Sequence, residues 1–181
     1  MKLLIASDLH GSYVAARELD RRVQEEAPDR IVLLGDLLYH GPRNDLPASY
    51  APKKVVPILN SWAERVLAVR GNCDAEVDQM VLDFPCRSDN AIFEADLHLL
   101  YLTHGHLIGM TPENPPRLAR GSAFLSGHTH VKILELRDGV LFVNPGSVGI
   151  PKDGRASYAV YENEEFRLKA LDGTTLAELG W

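Results

Sequence analysis

Seven side chains in this 181-residue chain could act together: Asp8, His10, Asp36, Asn72, His104, His128 and His130. They comprise two carboxylates, one amide oxygen and four imidazoles. That mixture suits Mn, Fe, Co, Ni or Zn better than Ca or Mg, which favour all-oxygen shells. Seven donors exceed what one ion with open positions needs. They match two ions sharing a carboxylate, at a separation of about 3.5–4 Å. Asp8 and His10 are two apart, as are His128 and His130, and in an extended segment that spacing turns both side chains the same way. A single Asp-x-His carries little weight, because short motifs match by chance.

Placement along the chain adds the weight. Ile31-Val32-Leu33-Leu34 reads as a fully buried strand, and Gly35-Asp36 follows it. Leu3–Ser7 delivers Asp8-Leu9-His10, Val66–Val69 delivers Arg70-Gly71-Asn72-Cys73-Asp74, Leu99–Leu102 delivers Thr103-His104-Gly105-His106, and Ala123–Ser126 delivers Gly127-His128-Thr129-His130. Five apolar runs therefore end in Asp, Asn or His, and ligands of open α/β sheets collect at the carboxyl ends of strands. Gly105 and Gly127 permit close backbone approach beside the donors. His40 lies in the loop that would cover such a site, whereas His98 falls on a hairpin.

The elements that must position these residues follow from periodicity. A strand over 2–7 leads, through Ser12 as N-cap, into a helix over 13–26 marked by Val14, Ala15, Leu19 and Val23. Pro28 ends it, and the next strand should run parallel to the first with a right-handed crossover. Residues 37–52 read as a loop, 53–63 as a helix, 66–69 as a third strand and 74–82 as a short helix stopped by Pro85. Segments 92–95 and 98–103 form a hairpin, and 109–116 is a proline-rich loop. Short strands follow over 123–126, 133–137, 140–143, 158–161 and 166–171, with Asp138-Gly139 as a hairpin turn. β-α-β units first and antiparallel strands later predict an α/β protein of two face-to-face sheets with helices outside, one domain over 1–181.

Composition narrows the function. Hydrophobic residues make up 45% and charged ones 24%, ordinary globular usage. A net charge of −6 argues against non-specific nucleic-acid binding but allows a small phosphorylated ligand. The two cysteines, Cys73 and Cys86, form no secreted-type framework. The first apolar run stops at Asp8, too soon for a signal peptide, and no stretch approaches a membrane span. The expectation is a cytoplasmic protein with no membrane partner; homo-oligomerisation is left open.

Asp-x-His, Gly-Asp, Gly-Asn-x-Asp, His-Gly-His and Gly-His-Thr-His, in this order, resemble the calcineurin-like metallophosphoesterase superfamily, and within it the small bacterial phosphodiesterases of the YfcE type. The likeness extends to His40-Gly41-Pro42-Arg43-Asn44 and Asn144-Pro145-Gly146-Ser147 and covers nearly the whole chain. It implies a four-layer α-β-β-α sandwich of two mixed sheets flanked by helices. It also implies a dinuclear centre of divalent ions, commonly Mn2+, with Ni2+, Zn2+, Fe2+ or Co2+ as alternatives. By resemblance one ion takes Asp8, His10, Asp36 and His130, and the other Asp36, Asn72, His104 and His128. The implied activity is hydrolysis of small phosphodiesters by a water or hydroxide activated at that centre. Arg43, Asn72 and His106 are candidates for phosphate contact, and Asp74 for orienting a neighbour. Many superfamily members carry histidine where this chain has Cys73, which tells against any mechanism needing an imidazolium there. Gly-Asp also lacks the Asp-Arg-Gly tail of phosphoprotein phosphatases. A phosphomonoesterase, a nucleotide pyrophosphatase and a non-catalytic metal-binding scaffold remain alternatives. Cys73 reads as a small spacer or a reactive thiol, and Asn144–Ser147 as a turn closing the site or a plain loop.

Overall fold

A computed structural model describes residues 1–47 and 49–181. The opening β-α-β unit consists of β1 (Leu3–Ala6), α1 (Tyr13–Glu26) and β2 (Arg30–Leu33), with β1 and β2 parallel and Ile5 opposite Val32. Helix α2 (Pro52–Asn60) and β3 (Val66–Ala68) follow, β3 parallel to β2. A second sheet collects β4 (Asn90–Ala95), β5 (His98–Thr103), β6 (Ala123–Leu125), β7 (Ile133–Arg137) and β8 (Val140–Asn144). The chain then returns to the first sheet with β9 (Ser157–Glu162), β10 (Glu165–Ala170) and β11 (Thr175–Gly180). The strand orders are β11-β10-β9-β1-β2-β3 and β4-β5-β6-β8-β7, both mixed.

Alternation along β1 explains the layering. Leu3 and Ile5 face the second sheet, in one apolar cluster with Leu100, Leu102, Leu125 and Leu141. Leu4 and Ala6 face outward and are covered by Ala16, Leu19 and Val23 of α1 and by Val55 and Leu59 of α2. Each such fully buried Leu or Ile contributes about 1.5–3 kcal/mol. The far face of the second sheet carries Tyr101, Phe124, Val140 and Phe142 under Leu118, at the end of the proline-rich segment. This is the α/β sandwich expected. Among the described residues both α-helices lie on the first sheet's outer face.

One expectation fails locally, and one strand goes unforeseen. The helix expected over 74–82 is only a one-turn 3-10 segment, Asp78–Met80. Short acidic side chains there bond to backbone groups instead of supporting a helix: the Ala75 N–H donates to Asp78 Oδ2 at 2.8 Å, and Asp74 accepts from Gly71 N–H at 2.8 Å. Strand β11 escapes the periodicity reading. Its sequence, Thr-Leu-Ala-Glu-Leu-Gly, lies at a sheet edge with most side chains exposed, so no buried face marks it. Asp172-Gly173, before it, is the turn signal that points to it.

Candidate metal centre

The site forms where the carboxyl ends of β1, β2 and β3 meet those of β5 and β6. Its backbone is not extended. Asp8, His10, Asp36, His128 and His130 all have left-handed φ values, between 50° and 67°. The two-residue spacing therefore works through a left-handed turn at each donor, a conformation that Asp and His tolerate better than most residues. Each such residue stores strain of order 1–3 kcal/mol, which persists only where the surroundings hold it. They do: the Asp8 N–H donates to Gly35 O at 3.0 Å and the His10 N–H to Asp36 O at 2.9 Å. Glycine is required beside the donors. A Cβ on Gly71 would lie 2.1 Å from Asp36 Oδ1, and one on Gly127 would lie 1.9 Å from Ser7 Oγ and 2.8 Å from Asp8 Oδ2. A Cβ on Gly105 would meet nothing closer than 3.2 Å.

Three imidazoles have their tautomer set by the backbone. His10 Nδ1 lies 2.8 Å from Tyr39 O, His104 Nδ1 2.6 Å from Leu34 O and His130 Nδ1 2.7 Å from Ile150 O. With Nδ1–H donating to a carbonyl, each Nε2 presents a lone pair inward. His10 Nε2 and His130 Nε2 then face each other at 3.2 Å. His130 Nε2 is also 3.2 Å from Asp8 Oδ1, His104 Nε2 is 3.4 Å from Asp36 Oδ2, and His10 Nε2 is 3.7 Å from Asp36 Oδ2. Asp8 Oδ1 is buried without a hydrogen-bond partner. Facing lone pairs beside an orphaned carboxylate oxygen are mutually repulsive unless cations or protons lie between them. The donor set thus fits divalent ions. Asn72 Oδ1, 3.2 Å from His104 Nε2, and the His128 ring, 5.1 Å from that of His104, complete the cluster.

Protons also answer that charge. Burial alone would lower the His104 pKa, but the Asp8 charge and the bond to Asp36 push it up to about 9. Burial would raise the Asp8 carboxyl, yet the charge of His104 and the close approach of the His10 and His130 rings hold it far below the usual range. His128 goes the other way, to about 4, through burial and the His104 charge.

Further residues hold this cluster. Asp74 Oδ2 accepts from the Asp36 and Gly71 N–H groups and its Oδ1 from the Leu37 N–H, all at 2.8 Å. Ser147 Oγ donates to Asp8 O at 2.7 Å, and Asn144 Nδ2 donates to Gly127 O at 2.7 Å. The end of β8 and the turn after it therefore fix the backbone of the loops that carry Asp8 and His128. The Cys73 N–H donates to Asp36 Oδ1 at 2.7 Å, while burial and the Asp36 charge push the thiol up to about 12. A half-buried neutral thiol is no nucleophile at neutral pH.

A cavity of about 420 Å³ opens over Asp36, Asn72, His128 and His130. Arg43 and Asn44 of the loop after β2 line it, as do Thr129 and Lys152. Sequence reasoning misses Lys152; its signal is Pro151-Lys152-Asp153-Gly154, a turn-forming run past another strand exit. His106 is not among the residues lining that cavity; its ring lies 5.3 Å from that of His104 and 6.1 Å from that of His128, and its buried Nδ1 is unpartnered. His40 Nδ1 is likewise buried and unpartnered, its ring between Tyr39 and Tyr50. His98, remote from the site, stacks on Trp181 at 4.0 Å.

Comparison with known proteins agrees with this geometry. Residues 1–165 match the description of the calcineurin-like phosphoesterase superfamily domain. The chain is 45% identical over 177 residues to the phosphodiesterase YfcE of Escherichia coli K12, covering 97% of this chain and 95% of that protein. A solved structure of the E. coli phosphoesterase YfcE superposes with a TM-score of 0.95 at 46% identity, covering 99% of each chain. An archaeal phosphodiesterase of 21% identity superposes at 0.68, covering 97% of this chain and 100% of that one, a likeness of fold alone.

Proposed function

The chain belongs to the calcineurin-like phosphoesterase superfamily, and on that premise we propose that it is a phosphodiesterase with two divalent ions at the centre described. The observation that carries the reading is the convergence of three backbone-fixed imidazoles on two carboxylates, with His10 Nε2 and His130 Nε2 3.2 Å apart. Asp8, His10, Asp36 and His130 would hold one ion, and Asp36, Asn72, His104 and His128 the other. Manganese is proposed as the native ion, with nickel, zinc, iron and cobalt compatible with the same donors. Such ions, when bound, lower the pKa of water towards neutrality and offset phosphate charge.

The chain's own residues do the rest. Asp74, Ser147 and Asn144 fix the donor loops, so little reorganisation is needed when charge develops on the phosphoryl oxygens. Arg43 and Asn72 line the cavity with groups able to hold phosphoryl oxygens in place. Cys73, neutral at the wall, offers no imidazolium to a departing oxygen, which favours monoanionic diesters with good leaving groups over dianionic monoesters. The two free cysteines accord with a reducing cytoplasm. The test is a hydrolysis panel of diesters, monoesters and cyclic nucleotides with Mn2+, Ni2+, Zn2+ and Mg2+. Aryl diesters should be turned over fastest with manganese, and monoester turnover exceeding diester turnover with every ion would reject the diesterase reading.

A further inference from the structure

Lys152 is exposed, yet its backbone is fixed. The segment carrying it is tied to the donor loops at three points: the Gly149 N–H donates to Asp8 O at 3.0 Å, the Lys152 N–H to His130 O at 3.2 Å, and Ile150 O lies 2.7 Å from His130 Nδ1; within the segment the Ile150 N–H donates to Ser147 Oγ at 2.8 Å. The adjacent carboxylate, Asp153, is engaged by Lys132, through its N–H at 2.8 Å and its ammonium. Among the described residues no ion pair involves Lys152 or Arg43, although this chain has net charge −6. The two cations line one cavity, which has no carboxylate in its lining besides Asp36 and no aromatic ring other than imidazole.

A diester phosphate is a monoanion that the centre itself would neutralise. An unpaired ammonium carried on a fixed backbone beside that centre therefore has no phosphate charge left to answer. We infer that Lys152 is a specificity-determining residue, binding a second anionic group, carboxylate or phosphate, on one ester arm of the substrate. The substrate class is then a small, polar phosphodiester with an acidic arm. A nucleoside arm fits less well, because the lining offers no aromatic side chain to stack a base. This deepens the phosphodiesterase reading and rests on it.

The test uses p-nitrophenyl phosphodiesters that differ only in the second arm: phenyl, carboxyphenyl and phosphonophenyl. Each is cleaved by water to p-nitrophenol and the aryl phosphate. The manganese-loaded wild type should prefer the anionic arms by about fivefold in kcat/KM, expressed in KM. Lys152→Gln should bring that ratio close to one, and Lys152→Arg should keep most of it. Calorimetric titration with the products, phenyl phosphate and carboxyphenyl phosphate, gives a readout independent of turnover; the carboxylate should tighten binding to the wild type and not to Lys152→Gln. Preference for only one anionic arm would identify the acidic group. Turnover without a preference, or a preference that survives Lys152→Gln, overturns the inference while leaving the diesterase reading intact. No turnover of any diester defeats the diesterase reading first.

Discussion

Asp36 stands between both halves of the donor set, with Oδ2 3.4 Å from His104 Nε2 and 3.7 Å from His10 Nε2. Replacing it by Asn removes the charge that both halves share. Asp36→Asn should therefore lower kcat/KM by about 10³-fold or more, against about 10–100-fold for Asn72→Ala or His106→Ala at saturating manganese. Near-wild-type turnover by Asp36→Asn would refute the shared role. Cys73 gives a prediction of opposite sign. Its thiol stays protonated, and an imidazole in its place could donate a proton to a leaving oxygen. Cys73→His should raise the monoester-to-diester ratio of kcat/KM. The gain should fall towards the lower end of the roughly 10²–10⁴-fold worth of a general acid. The reason is that the Asp74 carboxylate already serves three backbone N–H groups and is poorly placed to orient a new ring. An unmoved ratio in a folded, metal-replete variant would show that Cys73 does not set the preference. The donor types were legible as residues. The left-handed φ at five of them was not, because it arises from contacts such as His10 N–H to Asp36 O that join distant segments.

At the scale of elements, the loops hold the site because the strands below them are locked. Gly71 lies where the loop after β3 crosses Asp36, and a Cβ there would lie 2.1 Å from Asp36 Oδ1 and 2.5 Å from its backbone N, so Asp36 or the loop must shift. Gly71→Ala should weaken metal loading by at least about tenfold, read by isothermal titration, while circular dichroism remains native. Helix α1 is tied to the first sheet by Glu26, which pairs with Lys2 at 2.8 Å and with Lys169, and accepts from Tyr158 Oη at 3.1 Å. Burial alone would raise the Glu26 carboxyl, but the bonds from Lys169 and Lys2 hold it down to about 2 against an ordinary 4.5. Because the folded value is depressed, the stabilisation is complete above about pH 4.5 and is lost as the pH falls through about 2. After allowance for solvent screening it is on the order of 1–2 kcal/mol. Urea unfolding should show Glu26→Gln less stable by that amount at pH 6 and the gap shrinking towards pH 3; a gap independent of pH would contradict the assignment. Periodicity and β-α-β order made β1, α1, β2 and the β4–β5 hairpin legible, since each has a one-sided or fully buried apolar pattern. Strand β11 lacks one, and the 74–82 segment carries carboxylates whose backbone bonds outcompete a helix.

At the scale of the whole molecule, the two sheets face each other so that strand exits distant in sequence meet at one place. His104 Nδ1 bonds to Leu34 O across 70 residues, and the His128 N–H donates to Asp8 Oδ2 at 3.0 Å across 120. This convergence accounts for why the motif order along the chain was informative before any distance was known, and why Lys152, whose role depends on which walls share a cavity, was not. The central claim is that this junction holds two ions sharing Asp36. Anomalous diffraction from crystals of the manganese-saturated protein tests it most directly. Two peaks about 3.5–4 Å apart, both within bonding distance of Asp36, are the predicted result; a single ion bound without Asp36 in a fully loaded crystal would contradict it.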